Sequence, residues 1–349
     1  MPKIWWLPIE SLPERYSAQW NVWFKQEFTR LGIDHQMIYG DILTDEIREG
    51  CFLDVTGTNY FKASQLQMLC QCFEDKEIKE GDIIFFHDLW FPGLEMLAYI
   101  RDALGINFKI YGILHAGTWD EWDFLTQKGM GQWAEPLEHS WFRIVDGIFV
   151  ATHFHKNLIL RNRPMSTLDS KIHVTGLSIY PDFVDKNVHK ENIIVFPHRL
   201  DIEKQPEMFD KMAKELRNWD FGWNIVKTKD LCKTKQEYYN LLNTAKISVS
   251  CALQETWGIA MIESVMCGCI PIVPDRLSYY ELYPGICKYD GTLQGLIKKI
   301  REITTYYESI ANSKNFKSLK CFFTSFGGKA IKKMVNIMLG EKWKFAHIK

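Results

Sequence analysis

Two glutamates with seven residues between them, Glu255 and Glu263, flank the most informative stretch of the chain. Ionised carboxylates only accept hydrogen bonds, so the pair suits a ligand rich in hydroxyls, one carboxylate serving a sugar and the other a ribose. Between them Gly258 lets a backbone approach a ligand closely. A helix expected over 257–267 offers unpaired N–H groups and a positive dipole end to a phosphate. Glu263 lies about two helical turns beyond Glu255, so both side chains can face one cleft. Upstream, the block His198-Arg199-Leu200-Asp201-Ile202-Glu203-Lys204 supplies two cations, Arg199 and Lys204, able to neutralise a departing diphosphate. Singly, each residue is read better as part of a solvated helix or a charged turn; the string as a whole favours chemistry.

Such residues need a scaffold. Apolar runs alternate with helical patterns in the order of a parallel sheet flanked by helices. Strands are expected at 4–9, 82–86, 109–114 and 147–151, with a helix over 19–31. The pattern breaks into turn and charged residues from Val174 to Lys190. A second series follows, with strands at 193–196, 246–250 and 270–273 and helices at 206–216 and 257–267. In open parallel sheets ligands collect beyond the carboxyl ends of strands, which is where Arg199, Lys204 and Glu255 fall. The 349 residues suit two domains of roughly 100 to 200 residues each. The expected fold class is α/β, two Rossmann-like parallel-sheet domains, 1–185 and 186–328, facing a central cleft. A closing helix at about 329–349, marked by Lys329, Lys332, Lys333, Lys342 and Lys344, is expected to pack back on the first domain with one solvated face.

In the first half, His115 follows the strand at 109–114 and His87-Asp88 the strand before it. With Glu10, Arg15 and Tyr16 of the first loop, His87 and Asp88 are candidates for holding an acceptor. The runs Thr56 to Lys62 and Trp119 to Asp123 are aromatic and polar enough to stack on a base or sugar, although helix packing or a solvated loop explains them equally well. His153 and His155 read as a surface pair and not as a metal site.

The glutamate string, followed by Cys267-Gly268-Cys269-Ile270-Pro271, resembles the retaining GT-B transferases of glycosyltransferase family four. The resemblance implies that Glu255 touches the donor sugar and Glu263 the nucleotide ribose, with Thr256, Trp257, Gly258 and Ile259 in the donor-binding set. The block at 198–204 resembles the family's Gly-Arg…Glu-Lys-Gly signature, with His198 in place of the first glycine and Gln205 in place of the last. By position His115 matches the family's cleft histidine near the transferring carbon. His115, Arg199, Lys204 and Glu255 are therefore the expected catalytic set. With Asp88 assigned to the acceptor, no obvious carboxylate nucleophile stands at a strand end of the first domain. The resemblance implies a front-face substitution, in which the departing phosphate helps deprotonate the acceptor hydroxyl.

From about Val195 to Pro284 the likeness narrows to mannosyltransferases of queuosine transfer RNA. The shared features are Pro197-His198-Arg199, Lys235-Gln236-Glu237-Tyr238-Tyr239, Pro274-Asp275-Arg276-Leu277 and Glu281-Leu282-Tyr283-Pro284. The first half loosely resembles bacteriophage glycosyltransferases that act on hydroxymethylated pyrimidines in DNA. The expected activity is transfer of a sugar from a nucleotide-sugar, the only co-substrate, to a hydroxyl of a modified base in DNA or transfer RNA. The alternatives are a small-molecule, lipid or glycan acceptor, or a non-catalytic binding protein on this scaffold. The chain has no Asp-x-Asp, the metal-holding motif common in the GT-A architecture, so no metal is expected; Arg199, Lys204 and the helix terminus would replace it.

Composition narrows the classes further. Hydrophobic residues at 46% and charged residues at 24% are ordinary for folded domains, and no apolar run approaches the roughly 20 residues of a membrane span. The amino terminus lacks the regions of a signal peptide, and nine cysteines in apolar segments, without zinc spacing, read as reduced thiols. A cytoplasmic location is expected, that of a host cell if the chain is phage-encoded. Divided at 185, the first half carries 16 basic and 26 acidic residues, net −10, and the second 26 and 17, net +9. The second is thus the better seat for a phosphate-bearing ligand.

Overall fold

The computed structural model describes residues 2–12, 16–43, 54–217 and 222–340. The chain divides into two compact units, Met1–Gly176 with Ala330–Lys349, and Leu177–Lys329. The first unit ends at Gly176, ahead of the boundary expected at 185. Leu177 and Ile179 are already buried, and the Ser178 hydroxyl donates to the Gly327 carbonyl at 2.8 Å, both within the second unit. Recutting the charge at these limits leaves 21 basic and 25 acidic residues in the first unit, net −4, and 21 and 18 in the second, net +3. The sharp contrast read from the sequence softens because the lysines of the closing segment belong to the first unit.

Six strands form the sheet of the first unit: β1 (Ile4–Leu7), β2 (His35–Met37), β3 (Ile83–Phe86), β4 (Lys109–Ile113), β5 (Gly147–Val150) and β6 (Ile172–Val174). They pair in the order β2-β1-β3-β4-β5-β6, every pair parallel. A parallel sheet covered on both faces needs strands that are apolar throughout, and all four residues of β1, β3 and β5 are buried. Trp6 and Phe85 meet the aromatic face of the helix Tyr16–Arg30 through Phe24 and Phe28. Trp5, Ile84 and Phe86 join the opposite core layer.

The second unit carries β7 (Glu191–Phe196), β8 (Asn224–Lys227), β9 (Ala245–Val249), β10 (Ile270–Pro274) and β11 (Lys288–Tyr289). These also pair parallel throughout, in the order β11-β10-β9-β7-β8. In both sheets the first strand lies between the second and third, so consecutive crossovers leave on opposite sides. This topological switch opens a crevice at the carboxyl ends of those strands, between β1 and β3 in the first unit and between β7 and β9 in the second. The helix Phe326–Leu339 closes the described chain. It buries Ala330, Ile331, Met334 and Val335, while Lys333 donates to the Val174 carbonyl at 2.6 Å. Lys342 and Lys344 lie outside the described residues.

Candidate functional site

At the switch of the second unit, β7 runs out into 197–205 and β9 into 250–258. These two loops are bound to each other. The Leu253 N–H donates to the Glu203 carbonyl at 2.7 Å, and Lys204 Nζ donates to the Gln254 carbonyl at 2.6 Å. Arg276, just beyond β10, donates to the Cys251 and Ala252 carbonyls at 3.2 and 3.1 Å and to Gln205 Oε1 at 3.3 Å. Arg276 thus ties three strand-end loops together, a role the sequence reading did not assign although it singled out the tetrapeptide that contains it.

Lys204 and Glu255, distant in the chain, form an ion pair of 3.4 Å with side chains only 8% and 16% exposed. Lys204 also reaches Gln254 Oε1 at 3.4 Å. Glu255 Oε1 accepts the Gly258 N–H at 2.9 Å and the Trp257 N–H at 3.5 Å. Burial by itself would raise the Glu255 carboxyl. The Lys204 charge and hydrogen bond, with the N–H groups, outweigh it and hold the group below the usual carboxylate range. Gly258, at φ +84°, is the residue before the helix Ile259–Met266 and has no side chain to cap it. Glu255 folds back onto the Gly258 N–H just ahead of the helix. Of the N–H groups at this helix start, that of Gly258 is engaged by an anion of the chain's own.

Arg199 is 45% exposed and pairs within its loop with Asp201 at 2.9 Å and Glu203 at 3.1 Å. Exposed pairs of this kind contribute about 0–1 kcal/mol, so the guanidinium can exchange them cheaply. Glu263 departs from its expected posture. It is 2% exposed and accepts from Tyr239 OH at 2.8 Å, Tyr238 OH at 2.8 Å and Lys235 Nζ at 3.0 Å. All three donors come from the helix Lys235–Thr244, whose first turn carries the Lys-Gln-Glu-Tyr-Tyr run. The structure therefore gathers Arg199, Lys204, Glu255 and Gly258 on the two switch loops, with Thr256, Trp257 and Ile259 between or beside them, and turns Glu263 toward a neighbouring helix.

At the switch of the first unit, the helix Val55–Glu74 presents Thr58 and Lys62, one turn apart, to the loops after β1 and β3. Thr58 Oγ1 donates to Glu10 Oε1 at 2.7 Å. Lys62 Nζ donates to Asp88 at 3.0 Å and to the Trp90 carbonyl at 2.6 Å. His115 stands one strand further along. Its Nε2 lies 2.8 Å from the His87 carbonyl, and its half-buried ring packs beside Trp20 and Tyr16, so burial lowers its pKa despite Asp88 nearby. The Glu138 carboxylate accepts the Thr118 N–H at 2.8 Å and also holds the Thr118 hydroxyl and Arg163, which fixes the loop beyond His115.

Two expectations for this unit are corrected. His87 is fully buried between Trp6, Trp20 and Phe24, because the aromatic face of the helix Tyr16–Arg30 closes over it, so it cannot hold an acceptor. His155 is likewise fully buried, against Trp119, since it lies on the inward face of the helix His153–Asn162; only His153 is at the surface. Of the two aromatic-polar runs, Lys62 at 7% and Trp119 at 3% exposure are packed, while Tyr60 is 45% exposed and Asn59 and Glu121 lie at the surface. Arg15 lies outside the described residues.

No protein-family model matches the chain. A 95-residue stretch is 37% identical to tRNA-queuosine alpha-mannosyltransferase of Drosophila melanogaster, which covers 27% of this chain and 23% of that protein. Among solved structures, a sucrose-phosphate synthase from Thermosynechococcus elongatus aligns over 98% of this chain and 99% of its own at TM-score 0.68 and 10% identity. The catalytic domain of starch synthase IV from Arabidopsis thaliana, bound to ADP and acarbose, aligns over 97% and 99% at TM-score 0.67 and 9% identity. A pneumococcal O-GlcNAc transferase in complex with UDP and GlcNAc aligns over 97% and 99% at TM-score 0.63 and 9% identity. At such identities the shared property is the fold: two Rossmann-like parallel-sheet units of the GT-B glycosyltransferase type, as the sequence led us to expect.

Proposed function

We propose that this chain is a retaining glycosyltransferase that moves a sugar from a nucleotide-sugar to a hydroxyl of a modified base in nucleic acid. The observation that carries the reading is the Lys204–Glu255 pair, with Arg199 beside it, on the two loops of the second unit's topological switch. Lys204 faces the donor diphosphate, where an oxygen replaces its weakest contact, Gln254 Oε1. Arg199 exchanges its surface partners for a second phosphate oxygen, a charge-assisted and therefore stronger bond. Both cations stabilise the negative charge that grows as the diphosphate leaves, so no metal is required for that step. Glu255, held ionised and immobile, accepts hydrogen bonds from donor-sugar hydroxyls.

Glu263 serves the ribose by exchanging one tyrosyl hydroxyl for a ribose hydroxyl, and Thr256, Trp257, Gly258 and Ile259 complete the donor set. In the first unit His115 contacts the donor sugar, neutral at physiological pH because burial lowers its pKa. Glu10 and Asp88, fixed by Thr58 and Lys62, receive the acceptor. The departing phosphate takes the acceptor proton on the face it leaves. Bond formation and cleavage on one face retain the anomeric configuration.

For the acceptor, hydroxymethylpyrimidine in bacteriophage DNA is the primary reading, in the cytoplasm of a host. A queuosine transfer RNA is the second, favoured by the local identity to the Drosophila mannosyltransferase. Incubating the chain with pooled nucleotide-sugars and, separately, duplex DNA containing hydroxymethylcytosine, queuosine transfer RNA and simple glycans tests this by mass. A hexose or pentose increment on either nucleic acid supports the reading. An increment on glycans alone refutes the acceptor, and donor binding without any transfer or hydrolysis refutes the enzyme.

A further inference from the structure

Two residues beyond the end of β7, between Pro197 and Arg199, stands a histidine where the resembling signature has glycine. The His198 side chain is 4% exposed, and its Nε2 is buried with no hydrogen-bond partner. A buried polar nitrogen left without a partner costs about 1–3 kcal/mol, which a fold tolerates where a ligand supplies the missing bond. His87 and His155 also bury unpartnered ring nitrogens, but those rings are walled by tryptophans and phenylalanines and belong to the core. Among the described residues, His198 meets the Phe196 ring at 5.2 Å and lies within electrostatic range of Lys204, Glu255 and Arg199. A neutral imidazole among two cations and a carboxylate is placed to hydrogen-bond an anion without adding charge.

We propose that His198 is a ligand-contacting residue of the second unit, its Nε2–H donating to a phosphate oxygen of the bound nucleoside diphosphate. The inference rests on the donor reading given above and extends it to a residue outside that set. Burial, reinforced by Lys204, pushes the ring's pKa down to about 3, so the imidazole remains neutral through the working range.

The full chain, labelled with 15N-histidine, is titrated with UDP, GDP, ADP and CDP while the ring nitrogens are followed by NMR, the His198 signals being those absent from His198→Gln. The expected result is a shift of the Nε2 resonance on saturation with the nucleotide that binds. About tenfold weaker binding by His198→Ala is expected with it, and a smaller loss for His198→Gln, which keeps an N–H donor. Variants with unchanged affinity and a resonance that stays put during saturation would overturn the proposal while leaving the donor reading intact. Failure of all four nucleotides to bind the wild-type chain would overturn both.

Discussion

Replacing Lys204 by methionine keeps the unbranched apolar stem, one atom shorter, and removes the charge. In the folded protein Nζ donates to the Gln254 carbonyl at 2.6 Å and pairs with Glu255 at 3.4 Å. Breaking a fully buried ion pair from one side costs about 3–5 kcal/mol. Here Glu255 retains the Gly258 and Trp257 N–H groups and is 16% exposed, so the expected loss is smaller, about 2 kcal/mol. The catalytic loss is separate and larger. A preorganised donor aimed at developing charge is worth about 3–4 kcal/mol, or about 100- to 1000-fold in turnover. Donor hydrolysis or transfer is measured under conditions where circular dichroism shows the variant folded, together with Lys204→Met, Glu255→Gln and the double variant. The double variant should lose less stability than the two single losses added, because each removes the other's unpaired partner. Turnover within threefold of wild type for a folded Lys204→Met would refute the reasoning, whatever happened to stability.

Gly258→Ala forces a side chain into φ +84° and sets its Cβ 3.1 Å from the Tyr279 ring; thermal melting should fall by the equivalent of about 1–2 kcal/mol, and an unchanged melting temperature would contradict the left-handed turn at this position. Burial drives the pKa values of His155 and His198 down to about 3 and lowers that of His87 as well. For groups depressed from 6.5 the unfolded chain binds the extra proton, so stability is intact above pH 6.5 and lost on acidification. Between pH 7 and 5 each of the first two should cost about 2 kcal/mol, which urea midpoints at those pH values would register and a flat profile would disprove. Glu138→Gln weakens the buried hold on Thr118 and Arg163 and should cost about 2–4 kcal/mol, read in the same unfolding assay. Treatment with EDTA should leave at least half of the transfer activity, since Lys204 and Arg199 meet the diphosphate charge; complete loss restored by a divalent ion would overturn that assignment.

Much of this architecture was legible because the central strands are apolar throughout. Ile83 to Phe86, Ile193 to Phe196 and Ile270 to Val273 cannot be solvated on either face, and each is a strand within a residue or two of its expected limits. Short edge strands carry little such signal. β2, with His35, Gln36 and Met37 all at least partly exposed, and the two-residue β11 have too few apolar residues to announce themselves. The helix Val55–Glu74 buries Thr58, Lys62, Ser64 and Gln65, which blurs its apolar face and made the start of the helix read as a binding run. Spacing places Glu255 and Gly258 on a loop before a helix, yet the return of Glu255 onto the Gly258 N–H is a three-dimensional fact. Its partner Lys204 is 51 residues away. The same holds for Glu263: seven intervening residues set its place on the helix, while Tyr238, Tyr239 and Lys235 decide where its lone pairs go. Solvated and core histidines look alike in one dimension, and only the fold shows that His87 and His155 are buried.

The central claim, that the loops after β7 and β9 hold the diphosphate of a nucleotide-sugar, is tested most directly by thermal shift across uridine, guanosine, adenosine and cytidine diphosphate sugars. A ligand that binds only the folded chain stabilises it by about 2.7 kcal/mol at a hundred times its Kd. At least one of these donors should raise the melting temperature of the wild-type chain and leave that of Lys204→Met unmoved. Equal shifts in both proteins, or none from any donor, would contradict it.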